Sequence, residues 1–174
     1  MAKQKKEKGK DGIHTEKKTV TTHLHTSVNT CSLIILVFSF IIYGNSIFNN
    51  YNLDDELVTQ NHRLTSKGVS AIPEIFQSPY FENQQGFKYE YRPIVLTSFA
   101  IEHSLFGENV HLSHFINLLL YGFLCVTLFA VLKNLLKNYN LLLPFIITLL
   151  FTAHPIHTEV VSSIKNRDEI LSLL

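Results

Sequence analysis

Several signatures of common protein classes are missing from this 174-residue chain. Its only two cysteines, Cys31 and Cys125, lie in or beside apolar segments, where a free thiol behaves as a small hydrophobe, so the sequence offers no disulfide framework. It contains no glycine-rich phosphate loop, and the absence of a His-Glu-x-x-His motif excludes the zinc-protease class. The formal net charge is only +1, which provides no general attraction to nucleic acid.

Apolar residues, by contrast, are abundant and gathered into blocks. The chain is 46% hydrophobic and only 17% charged. Blocks at residues 30–48 and 112–132 have about the 20 residues that a spanning helix needs, a shorter predicted span lies at residues 141–153, and a further apolar run begins near residue 170. This pattern predicts an all-α polytopic membrane protein. Because the last run stops at the end of the chain, we expect an N-terminal piece of a longer protein.

Lysine positions predict how the chain crosses the membrane. Seven lysines precede the first block, and Lys133 and Lys137 lie in the short hinge between the second and third blocks, which has no acidic residue. Because cytoplasmic loops are enriched in Lys and Arg, the N-terminus and the hinge are expected to be cytosolic. Residues 49–109, and those from 154 onward, then face the opposite side of a bacterial inner membrane or an endoplasmic reticulum membrane.

The lysine-rich residues 1–29 contain few apolar side chains, which predicts a disordered cytosolic tail before a membrane domain at residues 30–174. A cleaved signal peptide is the alternative interpretation of the first block. No small-residue cleavage site follows its apolar core, however, so we expect the block to remain as an anchor. The third block is short and is expected to continue through the His-Pro segment that follows it.

The long loop after the first block contains an apolar segment of its own at residues 94–106. It is too short to span a membrane, and Pro93 and Gly107 suit the beginning and end of a helix. We therefore predict a helix lying along the membrane interface. Residues 83–86, Asn-Gln-Gln-Gly, read as a flexible loop, and no strand signal is strong enough to predict a sheet.

Two polar segments follow apolar blocks and are expected at one face of the membrane. The first, residues 52–56, has the sequence Asn-Leu-Asp-Asp-Glu, and the second, residues 154–159, has the sequence His-Pro-Ile-His-Thr-Glu. Asp54 and Asp55 could serve as a general base for a hydroxyl acceptor or as ligands of a divalent metal. A helix cap or a solvated turn is the alternative interpretation of this acidic pair.

Histidines occur in two His-x-x-His pairs near the ends of the apolar blocks. The first pair is His111 and His114, and the second is His154 and His157, which Glu159 could join. Imidazoles at helical spacing can bind one metal ion, so His154, His157 and Glu159 form a candidate metal site. Interfacial histidines that cap helices or hydrogen-bond to neighbouring walls provide the alternative interpretation.

Two arginines are candidates for binding a phosphate group. Arg92 and Arg167 could each grip a lipid phosphate through the bidentate fork of the guanidinium group. The alternative is that they lie at the head-group surface or pair with Glu90 or Asp168.

Together these motifs resemble the N-terminal membrane region of the transmembrane and tetratricopeptide-repeat-containing O-mannosyltransferases and their bacterial relatives. The resemblance extends from about residue 49 to the end of the chain, and the His-Pro-x-His-Thr-Glu string is its most specific part. In chain order the motifs are Leu53-Asp54-Asp55, Tyr91-Arg92-Pro93, Phe106-Gly107, His114, Asn117, His154-Pro155-Ile156-His157-Thr158-Glu159-Val160-Val161 and Arg167-Asp168-Glu169.

This resemblance implies a glycosyltransferase of the GT-C type, which transfers a sugar, mannose in this family, from a polyprenyl-phosphate donor to a protein Ser/Thr hydroxyl. It implies that Asp54 is the catalytic carboxylate and that Asp55 is its neighbour in metal binding or acceptor positioning. It places His157 and Glu159 near the donor phosphate. The implied partners are the lipid-linked donor, the protein acceptor and membrane lipid, and a divalent metal is an open prediction as cofactor.

Two other classes remain open. A metal-binding or transport protein would use the outer His and Asp residues to capture an ion, and a non-catalytic anchor would use none of them. Transport is favoured by charged residues buried inside the spans. Residues 112–132 and 141–153 contain no Asp, Glu, Lys or Arg, which favours chemistry at the membrane interface.

Overall fold

The structure is a computed structural model that describes residues 13–52, 54–55, 58–59, 62–82 and 86–174. Helices make up most of the described chain, and its only sheet is one small antiparallel ladder, which confirms the predicted all-α class. Its helices are α1 (Ile13–Tyr43), α2 (Ile72–Ile75), α3 (Pro93–Phe106), α4 (Val110–Leu135), α5 (Leu142–Thr152), α6 (His157–Ser162) and α7 (Arg167–Leu173), with 3₁₀ segments at Gly44–Phe48 and Thr65–Ala71. The ladder pairs β1 (Phe81–Glu82) with β2 (Lys88–Tyr89), and residues 83–85 of the predicted flexible loop lie outside the described residues.

Among the described residues, two helical segments are long and apolar enough to cross a membrane. They are Val28–Phe48, with 21 residues, and Val110–Leu135, with 26 residues. At 1.5 Å per residue both reach the roughly 30 Å of a hydrocarbon core. Both coincide with predicted spans, at residues 30–48 and 112–132.

The third predicted span is different in the structure. Helix α5 has only 11 residues and ends at Thr152, so it is about 17 Å long and does not meet the same criteria. The prediction that it continues through the His-Pro segment is wrong, because Pro155 disfavours helical geometry at the residue before it. The chain makes a turn there, and the short helix α6 begins at His157.

The described part of the N-terminal tail is helical, although the sequence predicted a disordered segment there. Residues 1–12 of the predicted disordered segment lie outside the described residues, but α1 begins at Ile13, so the backbone from 13 to 29 is helical. Residues 13–43 contain neither proline nor glycine, so nothing in the sequence interrupts the helix that the apolar block begins.

Helix α4 is the centre of the helical bundle and packs against α1, α5, α6 and α7. Gly122 permits close approach to α1, because a Cβ at this position would lie 2.6 Å from Leu36 Cδ1 and 3.0 Å from Ser39 Oγ. Small residues have this role between membrane helices, whose attraction depends on close packing. The buried side chains of this bundle include Ile35, Leu118, Tyr121, Cys125, Phe129, Val161 and Ile170.

The loop between α1 and α4 folds into a second packed layer. Helix α3 packs against the 3₁₀ segment Thr65–Ala71 and against α2. Buried side chains of this layer include Val58, Leu64, Ile75, Tyr80, Leu96, Phe99 and Ile164. The predicted helix at residues 94–106 is present, beginning at Pro93 and ending before Gly107, whose φ is 67°. Its other face exposes Ile94, Ile101 and Leu105, so its position at a membrane interface stays a prediction.

Candidate functional site

Three parts of the chain converge at the ends of the long helices. Tyr43 Oη donates to the carbonyl of His154 at 3.2 Å, and His111 Nδ1 lies 2.8 Å from the carbonyl oxygen of Ile47. We call the region formed by residues 47–55, 109–117 and 154–168 the polar junction, with reference only to its described residues. Asp55 of the first predicted polar segment hydrogen-bonds to Ser163 and Lys165, which follow the second segment, while Leu53 and Glu56 lie outside the described residues. That both segments lie at one membrane face stays a prediction.

Asp55 is the central connection of the polar junction. Its carboxylate is fully buried and accepts hydrogen bonds from both sides of the junction. Oδ2 accepts from the backbone N–H of Asn52 at 2.9 Å, while Oδ1 accepts from Ser163 Oγ at 3.1 Å and from the backbone N–H of Lys165 at 2.9 Å. A carboxylate with three internal donors holds two loops together. This geometry indicates that Asp55 positions the two loops and leaves neither of its oxygens open to bind a metal ion.

Asp54, the neighbouring acid, has the opposite environment. Its side chain is 61% exposed, and its Oδ2 lies 3.2 Å from Lys165 Nζ. Lys165 comes from the same loop whose backbone Asp55 holds, so the two aspartates fix the main chain and the side chain of one lysine. Of the two acids predicted to be catalytic, Asp54 is the one that a substrate can reach.

The second His-x-x-His pair does not form a metal centre with Glu159. No group of three His, Cys, Asp or Glu side chains positioned for a metal occurs among the described residues. The rings of His154 and His157 are 6.1 Å apart, and His157 instead packs on Phe151 at a centroid distance of 4.4 Å. Burial lowers the pKa of His157, and the nearby His154 adds to the effect. The structure thus favours a packing role for His157 against Phe151.

The first His-x-x-His pair holds the loop that follows α1. Besides the contact of His111 with Ile47, His114 is fully buried, and its Nε2 lies 3.5 Å from the carbonyl oxygen of Asn50. These imidazoles therefore fasten the beginning of α4 to residues 47–50. This is the hydrogen-bonded role that was the alternative to metal binding.

Arg167 corrects a prediction, because it is fully buried and cannot receive an external phosphate. Its Nη1 pairs with Glu102 Oε2 at 2.7 Å, and its Nε donates to Asn117 Oδ1 at 2.7 Å. Its guanidinium carbon also lies 4.1 Å from the centroid of the Phe99 ring. A buried cation needs partners that compensate its lost hydration, and here Glu102 and Asn117 are those partners. Arg167 therefore joins α3, α4 and α7.

The partner of Arg167 was missed at the level of sequence. Glu102 is the only Asp, Glu, Lys or Arg in the apolar helix α3, and it is 7% exposed. A single acid within an apolar helix is a signal for a buried partner, since isolated buried carboxylates are costly. Ser113 also donates to this carboxylate, which gives α4 a second contact with the same network.

Arg92 lies in a more open position. It is paired with Glu90 at 2.9 Å and with Asp168, and its guanidinium carbon is 5.3 Å from the centroid of the Tyr80 ring. These pairs are the alternative that the sequence left open. Its side chain remains 35% exposed at a cavity of about 370 Å³, whose walls are mostly apolar. The cavity is lined by Tyr91, Arg92, Pro93, Ile94, Val95, Asp168, Glu169, Leu171 and Ser172.

A second opening, which we call the polar cleft, lies within the polar junction. It has a volume of about 340 Å³ and separates residues 49–52 from α6. Its described lining residues are Asn49, Asn50, Tyr51, Asn52, Glu159, Ser162 and Ser163. Most of these side chains are polar, which distinguishes the polar cleft from the apolar cavity beside Arg92.

The chain is similar to curated proteins that are named protein O-mannosyl-transferases. Among its human relatives it is 29% identical to TMTC1 over 140 residues, 28% identical to TMTC3 over 134 residues and 25% identical to TMTC2 over 152 residues. These alignments cover 78%, 75% and 79% of this chain, respectively. The chain spans only 14–16% of the length of these relatives.

No family model matches the chain, and no solved structure does. The similarity to named O-mannosyl-transferases extends over most of the chain and recurs in human and mouse relatives. It therefore confirms the resemblance, predicted from the motifs, to the transmembrane and tetratricopeptide-repeat-containing O-mannosyltransferases.

Proposed function

We propose that this chain is the N-terminal membrane part of a GT-C-type glycosyltransferase. In this proposal the enzyme transfers mannose from a polyprenyl-phosphate donor to a Ser/Thr hydroxyl of a protein acceptor. It is a multi-pass protein with a cytosolic N-terminus, and the polar junction lies at the opposite membrane face. The observation that carries the proposal is the exposed Asp54 beside Lys165, in a chain similar to proteins named O-mannosyl-transferases.

The proposed reaction requires one base and one leaving phosphate. The acceptor oxygen forms a bond to the anomeric carbon of the sugar, while the bond from that carbon to the phosphate oxygen breaks and polyprenyl phosphate leaves with the electron pair. The acceptor proton passes to a carboxylate. Asp54 is suited to accept it because its oxygens remain exposed, whereas both oxygens of Asp55 already accept hydrogen bonds.

Arg92 is the proposed contact for the donor phosphate. It is partly exposed beside an apolar cavity, so one position offers both a cation and a surface on which an isoprenoid chain can lie. Glu90 and Asp168 already compensate its charge, and a bound phosphate would therefore share the guanidinium with them. Arg167 has no part in this proposal because it is buried.

The proposed base is tested by Asp54→Asn in the complete protein. Sugar transfer from a polyprenyl-phosphate donor to a Ser/Thr peptide is measured in reconstituted membranes. Removal of a general base typically costs about 10²–10⁴-fold in rate, and donor binding should remain. Glu82→Gln, an exposed acid on β1, is the matched control. Wild-type turnover by Asp54→Asn would contradict the proposal.

A further inference from the structure

The turn between α5 and α6 lies far along α4 from the end that carries Val110. Tyr121 Oη donates to the carbonyl oxygen of Thr152, the last residue of α5, at 3.1 Å. At about 1.5 Å per residue, Tyr121 lies about 16 Å along α4 from Val110, its first residue. Asn117 Nδ2 donates to the carbonyl oxygen of Ser163 at 3.0 Å, and Asn117 lies about 10 Å from Val110. Helix α6 therefore lies between these two levels, about 10–16 Å from this end of α4.

The short length of α5 leads to the same depth. Its 11 residues span about 17 Å, little more than half of a hydrocarbon core of about 30 Å. It runs antiparallel to α4, because Phe145 near its start packs on Phe129 at a centroid distance of 6.3 Å, while its end contacts Tyr121. If α4, which is about 39 Å long, is centred in such a core, each of its ends extends about 4 Å beyond it. Helix α6 then lies about 6–12 Å inside the hydrocarbon layer.

At this depth the bundle has two different surfaces. Phe123 on α4 and Leu150 on α5 are exposed apolar side chains, as expected of helices that face lipid. Thr158 and Glu159 on α6 are exposed as well, but they are polar. The hydrocarbon layer tolerates neither a charged side chain nor a non-helical turn unless protein or water surrounds them. The polar surface of α6 therefore needs a partner other than lipid.

The polar cleft connects this surface with the end of the first predicted span. One of its walls is formed by residues 49–52, which directly follow the helical segment Val28–Phe48, and the other wall carries Glu159 and Ser162 of α6. Its volume of about 340 Å³ has room for several water molecules, and its mostly polar walls can hydrogen-bond to them. The polar cleft thus offers water a path from the end of the span to α6.

We infer that the polar cleft is a water-filled recess through which the outer aqueous phase reaches α6, about 6–12 Å below the surface of the hydrocarbon layer. This inference rests on the multi-pass topology of the proposed function and not on sugar transfer. Water hydrates Glu159 and Ser162 in this recess, and neither lipid nor another membrane segment covers them. Because Asp55 hydrogen-bonds to Asn52 on one wall and to Ser163 on the other, the recess stays open without a ligand.

The test measures the accessibility of single cysteines in the complete protein, in sealed membranes. A positively charged, impermeant thiosulfonate reagent is applied from the outer side to Ser162→Cys, with Glu159→Cys as a second position in the recess. We expect both to react at a rate within about tenfold of that of Gln77→Cys in the outer loop, because a hydrated thiol ionises. Phe123→Cys, at similar depth on the lipid-facing side, is the matched control. It should react roughly a hundredfold more slowly, because its thiol stays protonated in hydrocarbon.

The possible outcomes separate this inference from the proposed function. Labelling of Gln77→Cys without labelling of either recess position would overturn the inference, because lipid or another membrane segment then covers α6. Equal rates for Phe123→Cys and Ser162→Cys would overturn it as well, since α6 would then differ in no way from the lipid-facing side. Labelling of Asn138→Cys instead of Gln77→Cys would overturn the topology and the recess together. If the recess positions react as expected but the unsubstituted protein transfers no sugar, the recess stands and the proposed reaction fails.

Discussion

The carboxylate of Asp55 accepts a hydrogen bond of 2.9 Å from the backbone N–H of Lys165, a residue 110 positions later in the chain. This bond joins the loop after α1 to the loop between α6 and α7. Through it, one aspartate sets the position of the lysine whose ammonium group pairs with Asp54, the neighbouring aspartate. The acidic pair is therefore divided into a buried positioning residue, Asp55, and an exposed residue, Asp54.

We expect Asp55→Ala to destabilise the protein more than Asp54→Ala does. Loss of the buried carboxylate leaves the donors of Asn52, Ser163 and Lys165 without their acceptor, which should cost about 2–4 kcal/mol. Asp54 is exposed, and an exposed ion pair contributes at most about 1 kcal/mol. Thermal unfolding in detergent measures both variants, and equal losses would contradict the division of roles.

Removing one partner of the buried ion pair between Arg167 and Glu102 should lower the free energy of unfolding strongly. Arg167→Met leaves an uncompensated buried carboxylate and should cost about 3–5 kcal/mol of unfolding free energy. The double variant Arg167→Met/Glu102→Leu should recover part of this loss, because neither charge then remains. If Arg167→Met instead keeps its stability and loses donor affinity, the phosphate role first predicted for Arg167 is correct.

Gly68 should tolerate a side chain less well than Gly107 does. Both have positive φ, at 66° and 67°, so alanine is strained at either position. A Cβ at Gly68 would also lie 2.0 Å from Ser104 Oγ, which accepts from the backbone N–H of Val69, whereas a Cβ at Gly107 would meet nothing within 4 Å. The unfolding midpoint of Gly68→Ala should therefore fall below that of Gly107→Ala. Equal midpoints would show that α3 shifts freely against the 3₁₀ segment.

His62 should make the stability of the loop layer depend on pH. Burial lowers its pKa, and Nδ1 accepts from the backbone N–H of Thr65 at 3.2 Å, which requires the neutral ring. Because the folded pKa lies below the unfolded value of about 6.5, this contribution is complete above that pH and is lost as the pH falls. His62→Gln should reduce the loss of unfolding free energy between about pH 7.5 and 5.5, measured by denaturant unfolding at each pH, and an unchanged loss would contradict this role.

The orientation of the chain can be tested with single cysteines. Gln77 and Asn138 are both exposed and lie in the two loops that are predicted to be on opposite sides of the membrane. An impermeant thiol reagent applied outside should label Gln77→Cys and spare Asn138→Cys. The parent chain, with only Cys31 and Cys125, is the control. The reverse labelling pattern would invert the proposed topology.

Sequence periodicity and composition were sufficient for the elements that depend on local properties. The apolar blocks predicted the helical segments Val28–Phe48 and Val110–Leu135, and Pro93 and Gly107 marked the ends of α3. The sequence was less successful at the ends of α5 and α1, where a helix-forming segment lies next to residues that could end the helix. The end of α5 at Thr152 depended on Pro155, and the extension of α1 to Ile13 depended on the absence of a helix breaker.

By itself, the sequence determined where the two long apolar helices and α3 lie and which polar motifs follow the apolar blocks, because these properties depend on neighbours along the chain. Only the tertiary structure decided that Asp55 is buried and Asp54 exposed, or that Arg167 is enclosed with Glu102 while Arg92 remains accessible. The sequence alone shows no chemical difference between two adjacent aspartates, or between two arginines in similar motifs. Their roles differ because burial and hydrogen-bond partners arise from contacts between residues that are far apart in sequence.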